Sequence, residues 1–211
     1  MHTLYHHPLN PGSRYVRLLL GEYSQTVSFL EEKAWERRAE FLVLNPAGTV
    51  PVMQLEDDNC LSGAIIIGEY LDETSGAMMR DKRLMPEKAT ARGETRRLVE
   101  WFLLKFDQEV TRYMLQERVY KQQMRSDEGG GSPESNVIRA ARANLKGHMK
   151  YLNMLAASRD WLAGRHLTCA DMAAAAAISA LDYLGEISWD SEPAAKDWYG
   201  RLKSRPSFRP L

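Results

Sequence analysis

The stretch Asn45-Pro46-Ala47-Gly48-Thr49-Val50-Pro51-Val52-Met53-Gln54-Leu55-Glu56-Asp57-Asp58-Asn59-Cys60-Leu61-Ser62-Gly63-Ala64-Ile65 decides the reading of this chain. Val50-Pro51 opens an apolar run, Val52 to Leu55. Asp57, Asp58 and Asn59 are turn residues, and Cys60-Leu61-Ser62 leads into a helical pattern. Proline fixes its own φ and offers no N–H, and it keeps the residue before it extended. At the mouth of a strand such a step leaves a backbone edge to which an extended peptide can add. Ser62 is read as the N-cap of the following helix, whose free N–H groups attract an anion. Val50, Pro51 and Ser62 together are expected to form a slot for a small peptide bearing a carboxylate.

Outward from that slot, the N-terminal part reads β-α-β-α-β-β-α. His2 to His6 is a short strand, and Pro8 to Gly12 is a turn. A helix over 13–23 carries Val16, Leu19, Leu20 and Tyr23 on one face. Val27 to Leu30 is a second strand, parallel to the first because a helical crossover joins them. Lys33 to Leu44 is an irregular helical stretch around Trp35, and the hairpin and a helix over 62–73 complete the unit. Thr74 to Pro86 is the expected linker. Everything beyond it is expected to be helical. A long helix over 88–124 has Leu98, Phe102, Phe106, Val110 and Tyr113 on its apolar face. A glycine-rich loop over 126–136 and a helix over 137–157 follow. Thr168 and Asp171 form a capping box, flanked by Leu167 and Met172 as a hydrophobic staple, ahead of an alanine-rich buried helix over 173–184.

Composition narrows the function. In 211 residues, 28 Lys+Arg balance 28 Asp+Glu, so no global field steers the chain to nucleic acid or anionic lipid. Cys60 and Cys169 form no CxxC pair, which points to a reducing cytoplasm rather than a disulfide scaffold. No run approaches the roughly 20 apolar residues of a membrane span. His6 and His7 point to opposite faces of a strand and cannot chelate together. His148 and His166 lack ligand-type neighbours, so no metal is expected.

The proline-gated slot, Ser62 with Ala64-Ile65, the Thr168–Asp171 box preceded by Gly164, and the Arg-Pro ending of Trp198 to Arg209 resemble the glutathione transferase superfamily. The resemblance implies an α/β thioredoxin-like first domain over 1–76 and an all-α second domain over 87–211. It also implies a homodimer. In that family a Tyr, Ser or Cys after the first strand donates a hydrogen bond to the glutathione thiolate. The help is needed because a free thiol has a pKa of about 8.5. Asn10, in Pro8-Leu9-Asn10-Pro11-Gly12-Ser13-Arg14-Tyr15-Val16-Arg17, stands at the Ser position. An amide N–H can donate to a thiolate, so Asn10 is the first catalytic candidate and Ser13 the second, with Tyr5 behind them.

Leu61 stands where most members carry an acid for the peptide's ammonium group. Its loss is expected to weaken glutathione binding roughly tenfold to a hundredfold. Two features suit partner binding instead: Trp35 in its charged segment, and the basic C-terminal edge of Arg201, Lys203 and Arg205, together with Arg209, facing an acidic protein. Within the superfamily, HHPLNPGSRYVRLLLGE, LSGAIIIGEYLDE and RLKSRPSFRPL resemble the alphaproteobacterial cell-division branch, whose members are dimers that bind and curve filaments of the tubulin homologue FtsZ. That resemblance implies a non-catalytic, cytoplasmic factor at the division site. The competing reading is an active transferase, with Val50 and Ser62 holding the peptide and Trp35, Phe106 and Tyr113 lining an electrophile pocket. A thiol-redox role for Cys60 ranks third, since no resolving cysteine lies nearby.

Overall fold

The computed structural model describes residues 1–211, the side chain of Asp81 excepted. Four strands, β1 (Thr3–His6), β2 (Ser28–Glu31), β3 (Val52–Gln54) and β4 (Cys60–Ser62), form one sheet in the order β2-β1-β3-β4. β1 pairs parallel with β2, whereas β3 runs antiparallel to both β1 and β4. Residues opposite one another share a sheet face. Leu4, Met53 and Leu61 therefore form one row, and Tyr5, Val52 and Ser62 form the other. The first row joins the core with Val16, Leu19 and Leu20 of α1 (Pro11–Glu22) and Ile67 and Leu71 of α3 (Ala64–Thr74). On the other face the Tyr5 ring meets Phe41 of α2 (Ala39–Leu44), with centroids 5.8 Å apart.

The starts of α1 and α3 follow different chemistry. Asn10 caps α1 with its side chain, and Pro11 takes the first helical position, where its missing N–H costs nothing. Gly63 caps α3 with φ +98°, a conformation that side-chain-bearing residues rarely adopt. Ser62, expected as that cap, is instead the last residue of β4 and makes no capping bond. The expected linker is packed rather than loose. Leu84 and Met85 are buried, and the Leu84 carbonyl accepts from the Cys169 N–H at 3.0 Å.

The second half is helical. A rod over 89–123, here α4, begins as an α-helix (Ala89–Glu100) and contains three wider π-helical stretches, Trp101–Lys105, Asp107–Thr111 and Gln116–Tyr120. Its buried residues recur every fourth position: Leu98, Phe102, Phe106, Val110 and Met114. A period of 3.6 closes the series at Tyr113, but the wider turns carry the apolar face on to Met114 and leave Tyr113 44% exposed. α5 (Ser135–Ser158), α6 (Cys169–Tyr183) and α7 (Pro193–Lys203) complete the unit. α6 is the central helix. Every residue from Cys169 to Leu181 is buried, and it packs against α1 and α4. Its capping box is present: Thr168 Oγ1 accepts from the Ala170 N–H at 3.3 Å, and Asp171 Oδ2 accepts from the Thr168 N–H at 2.9 Å.

Candidate functional site

A cavity of about 460 Å3 opens between the start of α1, the 48–51 segment, the start of α3 and the rod α4. Val50-Pro51 is a cis peptide and forms one wall. Neither the N–H nor the C=O of Val50 is bonded to another described residue, so the peptide-pairing edge expected at the proline step is open. The Pro51 carbonyl accepts from the Gly63 N–H at 3.0 Å and draws the first turn of α3, Gly63 to Ile66, into the wall. Ser62 is one residue outside that wall. Leu61 lies in the sheet row of Leu4 and Met53, packs against the core and does not line the cavity.

Asn10 lies on the floor of the slot. Its Oδ1 accepts from the Ser13 N–H at 2.8 Å, which fixes the amide's orientation. Nδ2 is then the end left without a protein acceptor among the described residues, and Asn10 lines the cavity. The packing there is close. A Cβ on Gly12 would stand 3.2 Å from Asn10 Oδ1 and from Pro51 Cδ, and 3.1 Å from Ala64 Cβ. Ser13 is a different case from the one its sequence position suggests. It is wholly buried, its Oγ accepts from the His7 N–H at 3.2 Å, and it does not line the cavity. Its hydroxyl organises the backbone behind the slot and is out of reach of a bound thiol. Tyr5 is also directed elsewhere, donating to Gln54 Oε1 at 3.4 Å.

Three rings close the slot's outer end. Trp35 lies 5.0 Å from Tyr120 and 5.7 Å from His7, and His7 and Tyr120 stand edge to face at 5.0 Å. They come from three separate places, namely the residue after β1, the segment after β2, and the far part of α4. The Trp35 Nε1–H is buried without an acceptor among the described residues. Asp107 also faces the cavity. Burial pushes its carboxyl above the usual range, although Arg112 stands 3.3 Å away. Glu32 is buried in the wall and held by Arg38 at 2.6 Å.

The electrophile-pocket residues expected on the rod require correction. Phe106 is sealed in the core, edge to face with His148 at 4.9 Å, and Tyr113 faces away. Leu103, Leu104, Asp107 and Tyr120 line the slot in their place, all four within π-helical stretches. A period of 3.6 along the sequence could not select them. His7 was likewise missed as a slot residue, because adjacency to His6 addressed chelation only.

Burial also sets the histidines' charge. It lowers the His6 pKa to about 4, with Arg17 and His7 adding to the effect, and it lowers that of His7. Between about pH 4 and 6.5 the unfolded chain binds a proton that folded His6 refuses, so stability falls as pH drops through that window. His6→Gln is expected to flatten the fall in urea midpoint between pH 7 and pH 5. An unchanged slope would assign the acid sensitivity to other groups.

The basic C-terminal edge is internally engaged. Arg205 makes two bonds to Glu22, at 2.7 and 2.6 Å. Arg201 donates to the Asp160 carbonyl at 2.7 Å and covers the Trp161 ring, while Lys203 pairs with Asp182 at 3.2 Å. Arg201 and Lys203 remain exposed, but Arg205 is a structural tie. Among the described residues no three His, Cys, Asp or Glu side chains are grouped to hold a metal ion, and no helix is long and apolar enough to cross a membrane.

A four-stranded sheet with a cis-proline slot, joined to a helical unit built on a capped central helix, matches known proteins throughout. The glutathione S-transferase N-terminal domain family matches residues 12–74, and the C-terminal domain family matches residues 135–201. The chain belongs to the glutathione transferase superfamily. It is 41% identical to "FtsZ-localized protein A" of Caulobacter vibrioides over 99% of this chain and 90% of that protein. A crystal structure of a glutathione S-transferase from Sinorhizobium meliloti 1021 superposes with a TM-score of 0.98 at 58% identity, covering 100% of this chain and 91% of that one. The structure of FzlA from C. crescentus superposes with a TM-score of 0.90 at 40% identity, covering 99% and 90%. Glutathione is the substrate this superfamily shares, and the open Val50 edge is the part of the slot suited to a peptide of that kind.

Proposed function

We propose that this protein is a non-catalytic glutathione-transferase-fold factor that binds FtsZ filaments as a homodimer, in the cytoplasm at the division site. The observation that carries the reading is the 41% identity, over 99% of the chain, to a protein named for its localisation to FtsZ. The slot supports the non-catalytic part. Asn10 stands where the superfamily places a hydroxyl or thiol, its Oδ1 is committed to capping α1, Ser13 is sealed behind it, and Leu61 has joined the core. Ile66 and Leu104, 54% and 44% exposed at the slot's rim, suit burial against a second copy. Trp35, Arg201 and Lys203 remain the candidate partner contacts.

One observation favours the active-transferase reading: Asn10 Nδ2 and the Val50 backbone both present unpaired groups at the cavity. The two readings separate in one set of assays. The FtsZ-binding factor pellets with FtsZ polymers, and Lys203→Glu weakens the pelleting. It does not gain thermal stability in millimolar glutathione, is not retained on immobilised glutathione, and does not conjugate a chromogenic electrophile. Absence from the FtsZ pellet would sink the reading. Turnover of glutathione would replace it with the second.

A further inference from the structure

A second groove, of about 540 Å3, lies on the helical unit between α5 and the 185–192 segment. Its floor is Leu145 and Met149 of α5, both buried. Lys146 and Lys150 stand along one rim, one helical turn apart and exposed. Neither ammonium group has an ion-pair or hydrogen-bond partner among the described residues. Arg142, at the end of the same rim, is already paired with Glu186, which also receives Arg118. Across the groove is Glu192, only 7% exposed, whose carboxylate accepts no hydrogen bond from any described residue. Neither carboxylate oxygen is sealed from solvent, so the group is open to a donor from a docked segment.

We propose that this groove is a docking site for an extended acidic peptide segment, with its carboxylates on Lys146 and Lys150, an apolar side chain on Leu145 and Met149, and a backbone N–H on Glu192. The spacing agrees with an extended occupant. Lysines four residues apart on a helix are separated by a rise of about 6 Å. Acidic side chains at alternate positions of an extended chain are about 6.6 Å apart. A helix spaces acids at i and i+4 equally well, but its interior backbone N–H groups are bonded within the helix and leave none for Glu192. The groove shares no lining residue with the cis-proline slot and does not depend on that slot's function.

The test uses the full chain and a fluorescein-labelled probe, Gly-Asp-Leu-Asp-Leu-Asp-Gly-amide, read by anisotropy at low salt. Saturable binding is expected, and the same peptide with Asn for Asp is expected to bind far more weakly. Lys146→Glu with Lys150→Glu should lower affinity roughly tenfold, since each exposed charge contact contributes modestly and reversal doubles its effect. Both positions are exposed, so the double variant keeps its fold by circular dichroism. Glu192→Ala should weaken binding through loss of the acceptor, and Trp35→Ala should leave it unchanged. No saturable binding, equal binding of the Asn peptide, indifference to the lysine reversals, or tighter binding by Glu192→Ala would each overturn the proposal. Loss of binding in a folded Trp35→Ala protein would overturn it too, by moving the probe to the slot.

Discussion

Asp171→Ala is expected to lower the melting temperature by about 6–20 °C. The carboxylate is fully buried and accepts four hydrogen bonds. Oδ2 receives the Thr168 N–H at 2.9 Å and the Thr168 hydroxyl at 3.0 Å, and Oδ1 receives the Leu162 N–H at 2.9 Å and the Trp198 Nε1–H at 3.0 Å. Alanine leaves these donors in a space closed to water. Stranded buried donors of this kind cost about 3–5 kcal/mol together. Each kcal/mol moves the midpoint of a domain this size by about 2–4 °C. Burial pushes the Asp171 carboxyl above its usual range against the pull of its donors. Asp171→Asn keeps one acceptor but turns an amide N–H toward a backbone N–H, so it should recover less than half of the loss. The check is a thermal melt followed by circular dichroism. A midpoint for Asp171→Ala within about 2 °C of the parent would mean that the network contributes no more than about 1 kcal/mol.

Half of that network was legible in the sequence. Thr168 and Asp171 are three residues apart, and a capping box is a local device whose partners occur together in the chain. The Leu162 and Trp198 donors lie nine and 27 positions away, and only the folded chain brings them to Asp171. The same division runs through the slot. Val50-Pro51 and Asn10 could be read because proline geometry and helix capping act on adjacent residues. Ser13 could not be placed correctly, because what disqualifies it is burial behind the His7 backbone, a tertiary fact. Ser62 looked like a cap by residue type, yet the turn after β4 needs the positive φ that Gly63 supplies, and the cap shifts by one. The rod residues were misassigned for a further reason. Three π-helical stretches change the period on which the reading relied, and those stretches supply every slot residue on α4.

Arg205→Glu separates a structural role from a partner-binding one at the C-terminal edge, and a loss of about 2–3 kcal/mol is expected. Glu22 of α1 is mostly covered, and besides the two bonds from Arg205 it accepts from the Ser207 hydroxyl. Gly21 allows this contact. A Cβ there would stand 2.9 Å from Ser207 Cβ and 3.0 Å from its Cα, so the 206–208 turn can rest on α1 only where the side chain is missing. Glutamate at 205 removes the fork and sets a second carboxylate against the first. The cost falls between that of an exposed pair and a fully buried one, because Arg205 is itself partly solvated. By contrast, Lys203→Glu breaks an exposed pair with Asp182 and should cost about 1 kcal/mol or less.

Acid provides an independent readout of the same tie. Burial pushes the Glu22 carboxyl up, but the bonds from Arg205 and Ser207 outweigh it and hold the group below its usual value. A carboxylate depressed in the folded state stabilises above its unfolded pKa, and that stability disappears as pH falls through the folded one. The gap in urea midpoint between the parent and Arg205→Ala should therefore be full near neutrality and close below about pH 4.5. A variant at 205 that lost FtsZ pelleting with an unchanged melt and a pH-independent gap would return Arg205 to the partner surface. Lost stability at 205 with intact pelleting, beside intact stability and weakened pelleting at 203, would assign the two cations their separate roles.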